Sequence, residues 1–118
     1  MIRQGDVFWL DLGTPLGSRP GYRHPHVVVQ NNVFNQSAIA TTVVCSITSN
    51  LARGNSPGNV RLNKGEANLS KPSIVNVSQV WTIDKQMLVE KIGSLSKQRI
   101  SQVLAGIHLL LDERELED

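Results

Sequence analysis

The residues that could do chemistry are Arg23 and His24, side by side in the loop GTPLGSRPGYRHP (Gly13–Pro25), and the hydroxyl pair Thr48-Ser49 at the head of a second loop. Together with the polar side of the strand SIVNVSQVWTI they form a set that can cleave RNA without a metal. That reaction removes a proton from a 2′-OH, delivers one to the departing 5′-oxygen, and stabilises charge on a pentacoordinate phosphorus. A histidine with its ordinary pKa of about 6.5 suits either proton transfer. An arginine offers two parallel donors to a phosphate, and a loop hydroxyl or backbone N–H adds another. The same residue types also decorate ordinary surface loops, so the set alone does not select a function.

Other chemistries find less support. His24 and His26 stand two apart, which on a strand puts both rings on one face, but a zinc site needs three or four ligands. Only Cys45 and His108 remain as additions, at no familiar spacing, so neither a metal nor another cofactor is expected. His108 falls within a helical stripe and reads as structural. There is no G-x-S-x-G elbow and no P-loop, and the scattered carboxylates argue against paired-acid mechanisms. Cys45, the single cysteine, sits in the apolar run TTVVCSI and reads as a small buried hydrophobe.

The elements that must position this set are mostly strands. Residues 5–12, GDVFWLDL, read as the first and His26–Gln30 as the second, with Asn31–Ser37 a turn between it and the β-branched third strand, 38–47. The second loop, Thr48–Asn59, carries Arg53. A short strand follows at 60–63, then a long one at 73–83. Strict alternation there would set Val75, Val77, Gln79 and Trp81 on one face, with Ile74, Asn76, Ser78 and Val80 on the other. Residues 89–92 suggest another short strand. After a serine N-cap at Ser94 or Ser96, the recurrence of Ile100, Val103, Leu104, Ile107, Leu110 and Leu111 marks an amphipathic helix packed on the sheet, Lys97 and Arg99 outward. The expected fold is mainly β (α+β), a small curled antiparallel barrel closed by a C-terminal amphipathic helix, in one domain over 1–118.

The net charge of +2 conceals an uneven distribution. Five of the ten acidic residues lie in the tail 112–118, whereas residues 1–111 hold eleven Lys/Arg against five Asp/Glu. A basic body attracts polyanions, of which nucleic acid is the most common. No apolar run approaches the roughly 18 residues of a membrane helix. MIRQGDVFWL is polar where a signal peptide is apolar, and the lone cysteine suits a reducing compartment, so a cytoplasmic protein is expected.

From Gln4 to about Leu111 the chain resembles the PemK/MazF-type ribonuclease toxins of bacterial toxin–antitoxin systems. The resemblance is carried, in order, by GDVFWLDL, GSRPGYRHP leading into VVVQNN, VVCSITSN, and VNVSQVWTIDKQMLVEKIG before the terminal helix. It implies an SH3-like barrel and a homodimer. It also implies sequence-selective cleavage of single-stranded mRNA to 2′,3′-cyclic phosphate and 5′-OH ends, and neutralisation by a cognate antitoxin. Thr48 occupies the family's catalytic threonine. The family's catalytic arginine normally precedes the loop's closing proline, where this chain has His24, with Arg23 one residue earlier. Three outcomes stay open: His24 transfers the proton while Arg23 holds phosphate, the loop bends to bring Arg23 in, or activity is weakened. The first is preferred. Ser78 stands where some members carry an acid, and Arg19 replaces an acidic residue of several relatives, favouring phosphate binding. Gln79 matches a base-reading position, and Ser49 and Arg53 join Arg19 and Gln79 as RNA-binding candidates.

Phe8, Trp9, Trp81 and the helix stripe offer more apolar area than one small barrel needs, in keeping with a dimer. Two alternatives remain open from sequence: a gyrase-poisoning CcdB-type toxin working through its helix, and an impaired relative that only binds RNA or antitoxin.

Overall fold

The computed structural model describes residues 1–12 and 23–116. Most of the loop Gly13–Pro25, Arg19 included, therefore lies outside the described residues. The chain runs β1 (Asp6–Leu10), β2 (His24–Val28), α1 (Asn32–Gln36), β3 (Thr41–Thr48), β4 (Val60–Leu62), β5 (Ser73–Asp84), β6 (Glu90–Ser94) and α2 (Lys97–Leu111). Short 3-10 turns occupy Leu51–Asn55, Glu66–Asn68 and Lys85–Met87. Asn31–Ser37 is thus a helical turn rather than a simple reversal, because the Asn31 side chain caps it by accepting from the Phe34 N–H at 3.1 Å.

All strand pairings are antiparallel, in the order β4-β5-β3-β2-β1-β6. β4 and β6 are the two edges of this curled sheet, and the turn Glu66–Asn68 brings them together. The Asn68 amide donates to the Ile92 carbonyl at 2.9 Å, and a Cβ on Gly93 would strike the Ala67 backbone. The turn thereby covers part of the β6 edge. The result is a mainly β half-barrel with one principal helix.

Both faces of the sheet are apolar. Val7, Val27, Cys45, Ile47, Val75 and Val77 form one cluster, completed by Ile100 and Val103 of α2. On the opposite face Phe8, Leu10, Val28, Val44 and Ile83 form the second, with Trp81 packed against it. Two-sided burial explains the near-continuous valines of β2. Helix α2 begins where Ser96 accepts a hydrogen bond from the Arg99 N–H at 3.2 Å. At Gly106 it lies against Val77 of the sheet and the turn before β4, where any Cβ would run into the carbonyl oxygen of Gly58, itself at φ +77°. Only Ile100, Val103 and Gly106 of α2 are buried, so the stripe is not fully covered: Leu104, Leu110 and Leu111 stay exposed. Arg99 turns inward to make two bonds to the Glu66 carboxylate, at 2.9 and 3.0 Å, while Lys97 points out as expected. Arg99 thereby lowers the Glu66 pKa.

The alternation expected along β5 fails midway. Cys45 pairs with Val80, yet the next residue of β3, Ser46, pairs with Asn76, so Val77, Ser78 and Gln79 bulge out of the ladder. Because a strand alternates with period two, an odd surplus of three residues exchanges the faces. Val75 and Val77 accordingly lie under α2, whereas Trp81 and Ile83 lie on the opposite side.

Candidate active site

The site is assembled where β2 and β3 run side by side. Their register pairs His26 with Ser46, Val27 with Cys45 and Val28 with Val44. Extended by two residues, the same register sets His24 level with Thr48. Even-numbered residues of both strands share the face that carries Val28 and Val44, so His24, His26, Ser46 and Thr48 belong to one face. His24 and Thr48 are half-buried and Ser49 is exposed. Burial lowers the His24 pKa below its usual value, which keeps the imidazole neutral, the form a general base requires.

Thr48 ends β3. Its Oγ1 accepts the Asn50 N–H at 3.1 Å, a bond that leaves its own hydroxyl hydrogen to donate elsewhere. The Asn50 side chain in turn caps the 3-10 turn Leu51–Asn55 by accepting from the Ala52 N–H at 3.2 Å. That turn lies over Ile74, the residue opposite Thr48 on β5, with Gly54 directly above it. Arg53 is therefore carried on a turn adjoining Thr48, and its side chain is exposed.

Arg23 is placed differently. Its Nη2 donates to the Glu90 carboxylate at 2.7 Å and its guanidinium lies 5.3 Å from the centre of the Trp9 ring. Trp9 pairs with Pro25 and with Glu90, in the odd-numbered set of β1 and β2, so Arg23 is tied to the face opposite His24. Both ends of the ion pair are well exposed, at 45% and 65%, so it stabilises the fold little, about 0–1 kcal/mol. A phosphate could compete for the guanidinium.

Gln79 is exposed at the tip of the β5 bulge, beside Ser78. The bulge is held by a residue sequence reasoning missed. Asn59 accepts the Val77 N–H at 2.9 Å through Oδ1, and its Nδ2 donates to the Arg53 carbonyl at 2.9 Å and to Asn76 Oδ1 at 3.4 Å. The Ser78 hydroxyl adds a bond to the same Asn76 oxygen at 3.0 Å. One amide thus joins the Arg53 turn to the strand that presents Gln79. No motif marks such a residue, since an asparagine in a Gly/Pro-rich loop reads as turn chemistry.

The second missed feature is the surroundings of His26. Its Nδ1 lies 3.0 Å from the His24 carbonyl oxygen and its Nε2 3.2 Å from Ser46 Oγ, which also accepts from Trp81 Nε1 at 3.1 Å. Desolvation brings the His26 pKa down to about 4, against the opposing effect of the bond to the His24 carbonyl and with a smaller lowering from the His24 charge. Cys45 is buried, its thiol pushed up to about 12, consistent with a packing role. His108, on α2, is exposed. Among the described residues no group of three His, Cys, Asp or Glu could hold a metal ion, and no helix is long and apolar enough to cross a membrane.

A half-barrel closed by one helix, with His24 and Thr48 on one face near the ends of its central strands, defines a small mainly-β protein of curled-sheet type. The chain belongs to the family of PemK-like, MazF-like toxins of type II toxin–antitoxin systems, whose pattern it matches over residues 3–111. It is 36% identical to Endoribonuclease MazF6 of Mycobacterium tuberculosis over 95% of this chain and 98% of that protein. Endoribonuclease MazF of Staphylococcus saprophyticus is 33% identical, with 94% and 92% covered. Among solved structures, a mycobacterial endoribonuclease in complex with its cognate antitoxin superimposes with a TM-score of 0.76 at 21% identity, covering 97% of this chain and 100% of that one. The Mycobacterium tuberculosis toxin MazF-mt6 gives 0.72 at 16% identity, with 94% and 99% covered. The structural likenesses establish the fold.

Proposed function

We propose that this protein is the toxin of a type II toxin–antitoxin pair, an endoribonuclease that cuts single-stranded mRNA at selected sequences without a metal. Family membership and curated endoribonuclease relatives matched over nearly their whole length support the activity. The observation that carries the site is the pairing of His26 with Ser46, which places His24 and Thr48, two residues beyond it on either strand, on one face. Neutral His24 accepts the proton of a 2′-OH, and the resulting oxygen attacks the adjacent phosphorus. The bond to the 5′-oxygen breaks, that oxygen takes a proton from the imidazolium or from water, and a 2′,3′-cyclic phosphate and a 5′-OH remain. Thr48 donates its hydroxyl hydrogen to the phosphorane oxygen.

Arg23, once exchanged from Glu90, holds a neighbouring phosphate, as does Arg19 in the preceding loop. Ser49, Arg53 and Gln79 contact RNA along the same path, with Gln79 offering a base-reading amide. The molecule works as a single domain and as a homodimer in the cytoplasm, inhibited by a cognate antitoxin; the residues 112–118 form an acidic tail. In the test, purified protein is incubated with a long RNA in excess EDTA and the ends are mapped. Cleavage with cyclic phosphate ends is expected, and His24→Ala and Thr48→Ala should each lower kcat by about 10²–10³-fold with the fold retained. Full activity in both variants rejects the site, and failure to cut any RNA rejects the function.

A further inference from the structure

The His24 backbone is held by an unusual device. His24 precedes Pro25, whose nitrogen carries no hydrogen and whose ring confines the preceding residue to extended conformations. The β1 ladder runs through this point, pairing Leu10 with His24 and Trp9 with Pro25, but Pro25 donates nothing to it, and the His24 carbonyl lies 3.0 Å from the Nδ1 of His26, two residues on. A carbonyl can only accept, so His26 Nδ1 must carry the hydrogen. With its pKa at about 4 the ring is neutral near pH 7, which leaves Nε2 as a lone pair. Nε2 accepts the Ser46 hydroxyl hydrogen, and Ser46 Oγ accepts from the Trp81 indole, which can only donate. Every polarity in the series Trp81 to Ser46 to His26 to the His24 carbonyl is therefore fixed from its two ends.

We infer that His26 is a positioning residue for RNA cleavage: as the Nδ1–H tautomer set by Ser46 and Trp81, it fixes the His24–Pro25 peptide plane and aims the His24 ring at the level of Thr48. This rests on the reading of His24 as the proton acceptor. The geometry gives it a reason: the bond from His26 comes in addition to the β1 ladder, in which His24 pairs with Leu10 and Pro25 with Trp9, and it ties this peptide to the buried Ser46 and Trp81. The side chain of His26 itself is buried, so it acts only through its neighbour.

The test compares His26→Asn, whose amide can reproduce the Nδ1–H donor, with His26→Leu, which fills the space without it. His26→Leu should lower kcat by about 10–100-fold with KM within about 2-fold, and His26→Asn should restore kcat to within about 5-fold of the parent. ¹⁵N NMR of the parent should show His26 as the Nδ1–H tautomer, and His26→Leu should broaden or shift the His24 ring resonances. If His26→Leu misfolds, Ser46→Ala serves in its place, and should mix the His26 tautomers and lower kcat by about 3–10-fold. Parent-like kcat in folded His26→Leu, or an Nε2–H tautomer in the parent, overturns the inference. Should the parent cut no RNA, the reading of the function fails, while the tautomer and the His24 resonances still decide whether His26 positions that ring.

Discussion

Burial of the His26 imidazole holds its pKa near 4, well under the value of about 6.5 it has when solvated, and the gap is a contribution to stability with a definite sign. Between these values the unfolded chain binds a proton that the folded chain refuses. Stability is therefore fully present above about pH 6.5 and falls as the pH drops toward 4, by about 3 kcal/mol in all. The lowered pKa of His24 acts in the same direction. Glu66, whose pKa Arg99 depresses, loses its contribution only below the ordinary carboxylate range. Urea titrations at pH 7 and pH 4.5 should thus show a large loss for the parent and a much smaller one for His26→Asn, which cannot titrate. Equal losses in the two proteins would mean that His26 is already exposed or charged in the folded state. At this scale the sequence was generous with types and silent on pairing. Arg23 and His24 stood out as phosphate chemistry, but only the pairing of β1 with β2 and β6 shows Arg23 tied, through Trp9 and Glu90, to the face opposite His24. His26 looked like half of a metal site because a spacing of two says which face a ring occupies, and nothing about what that ring will meet.

Elements were legible where one periodicity ran unbroken. The strands around Val7, Val27 and Val44 and the helix from Lys97 to Leu111 follow from apolar runs and a serine cap, because local propensity and burial agree there. β5 was legible as a strand but not in its facing, since its faces exchange at a bulge that depends on Asn59, a residue of another segment. Removing that side chain leaves the Val77 N–H without its partner inside the protein and disconnects the Arg53 turn. Asn59→Ala should cost about 1–3 kcal/mol, the penalty of a buried unsatisfied donor. It should also relax the choice of cleavage sequence more than it lowers kcat, because it frees the strand bearing Gln79 without touching His24 or Thr48. Chemical denaturation and mapping of cut sites in a mixed RNA measure the two effects. A variant that loses stability yet keeps the parent's cut sites would detach Gln79 from RNA recognition.

For the whole molecule, the unevenness of charge and the incomplete cover of α2 bear on assembly. A fully packed helix would hide its stripe, yet here Leu109 is 40% exposed, Leu110 48% and Leu111 75%, and on β1 Trp9 is 39% exposed. These residues lie at the end of α2 and on β1, more apolar surface than a small monomer usually leaves wet. A second copy of the chain would cover it by a two-fold contact, in which the same patch serves both partners. Such a pair also doubles the basic loops on one particle, lengthening the path available to a single strand of RNA. Sedimentation equilibrium at micromolar concentration should therefore give the mass of a dimer. Leu110→Glu together with Leu111→Glu, both at exposed positions, should leave the circular dichroism spectrum unchanged while weakening the dimer at least about 100-fold, since each partner would bury two new charges. Loss of RNA cleavage in step with dissociation would place the working groove across the pair. Retained cleavage by a folded monomer would confine it to one barrel, and a parent that sediments as a monomer would leave the apolar end of α2 to another partner.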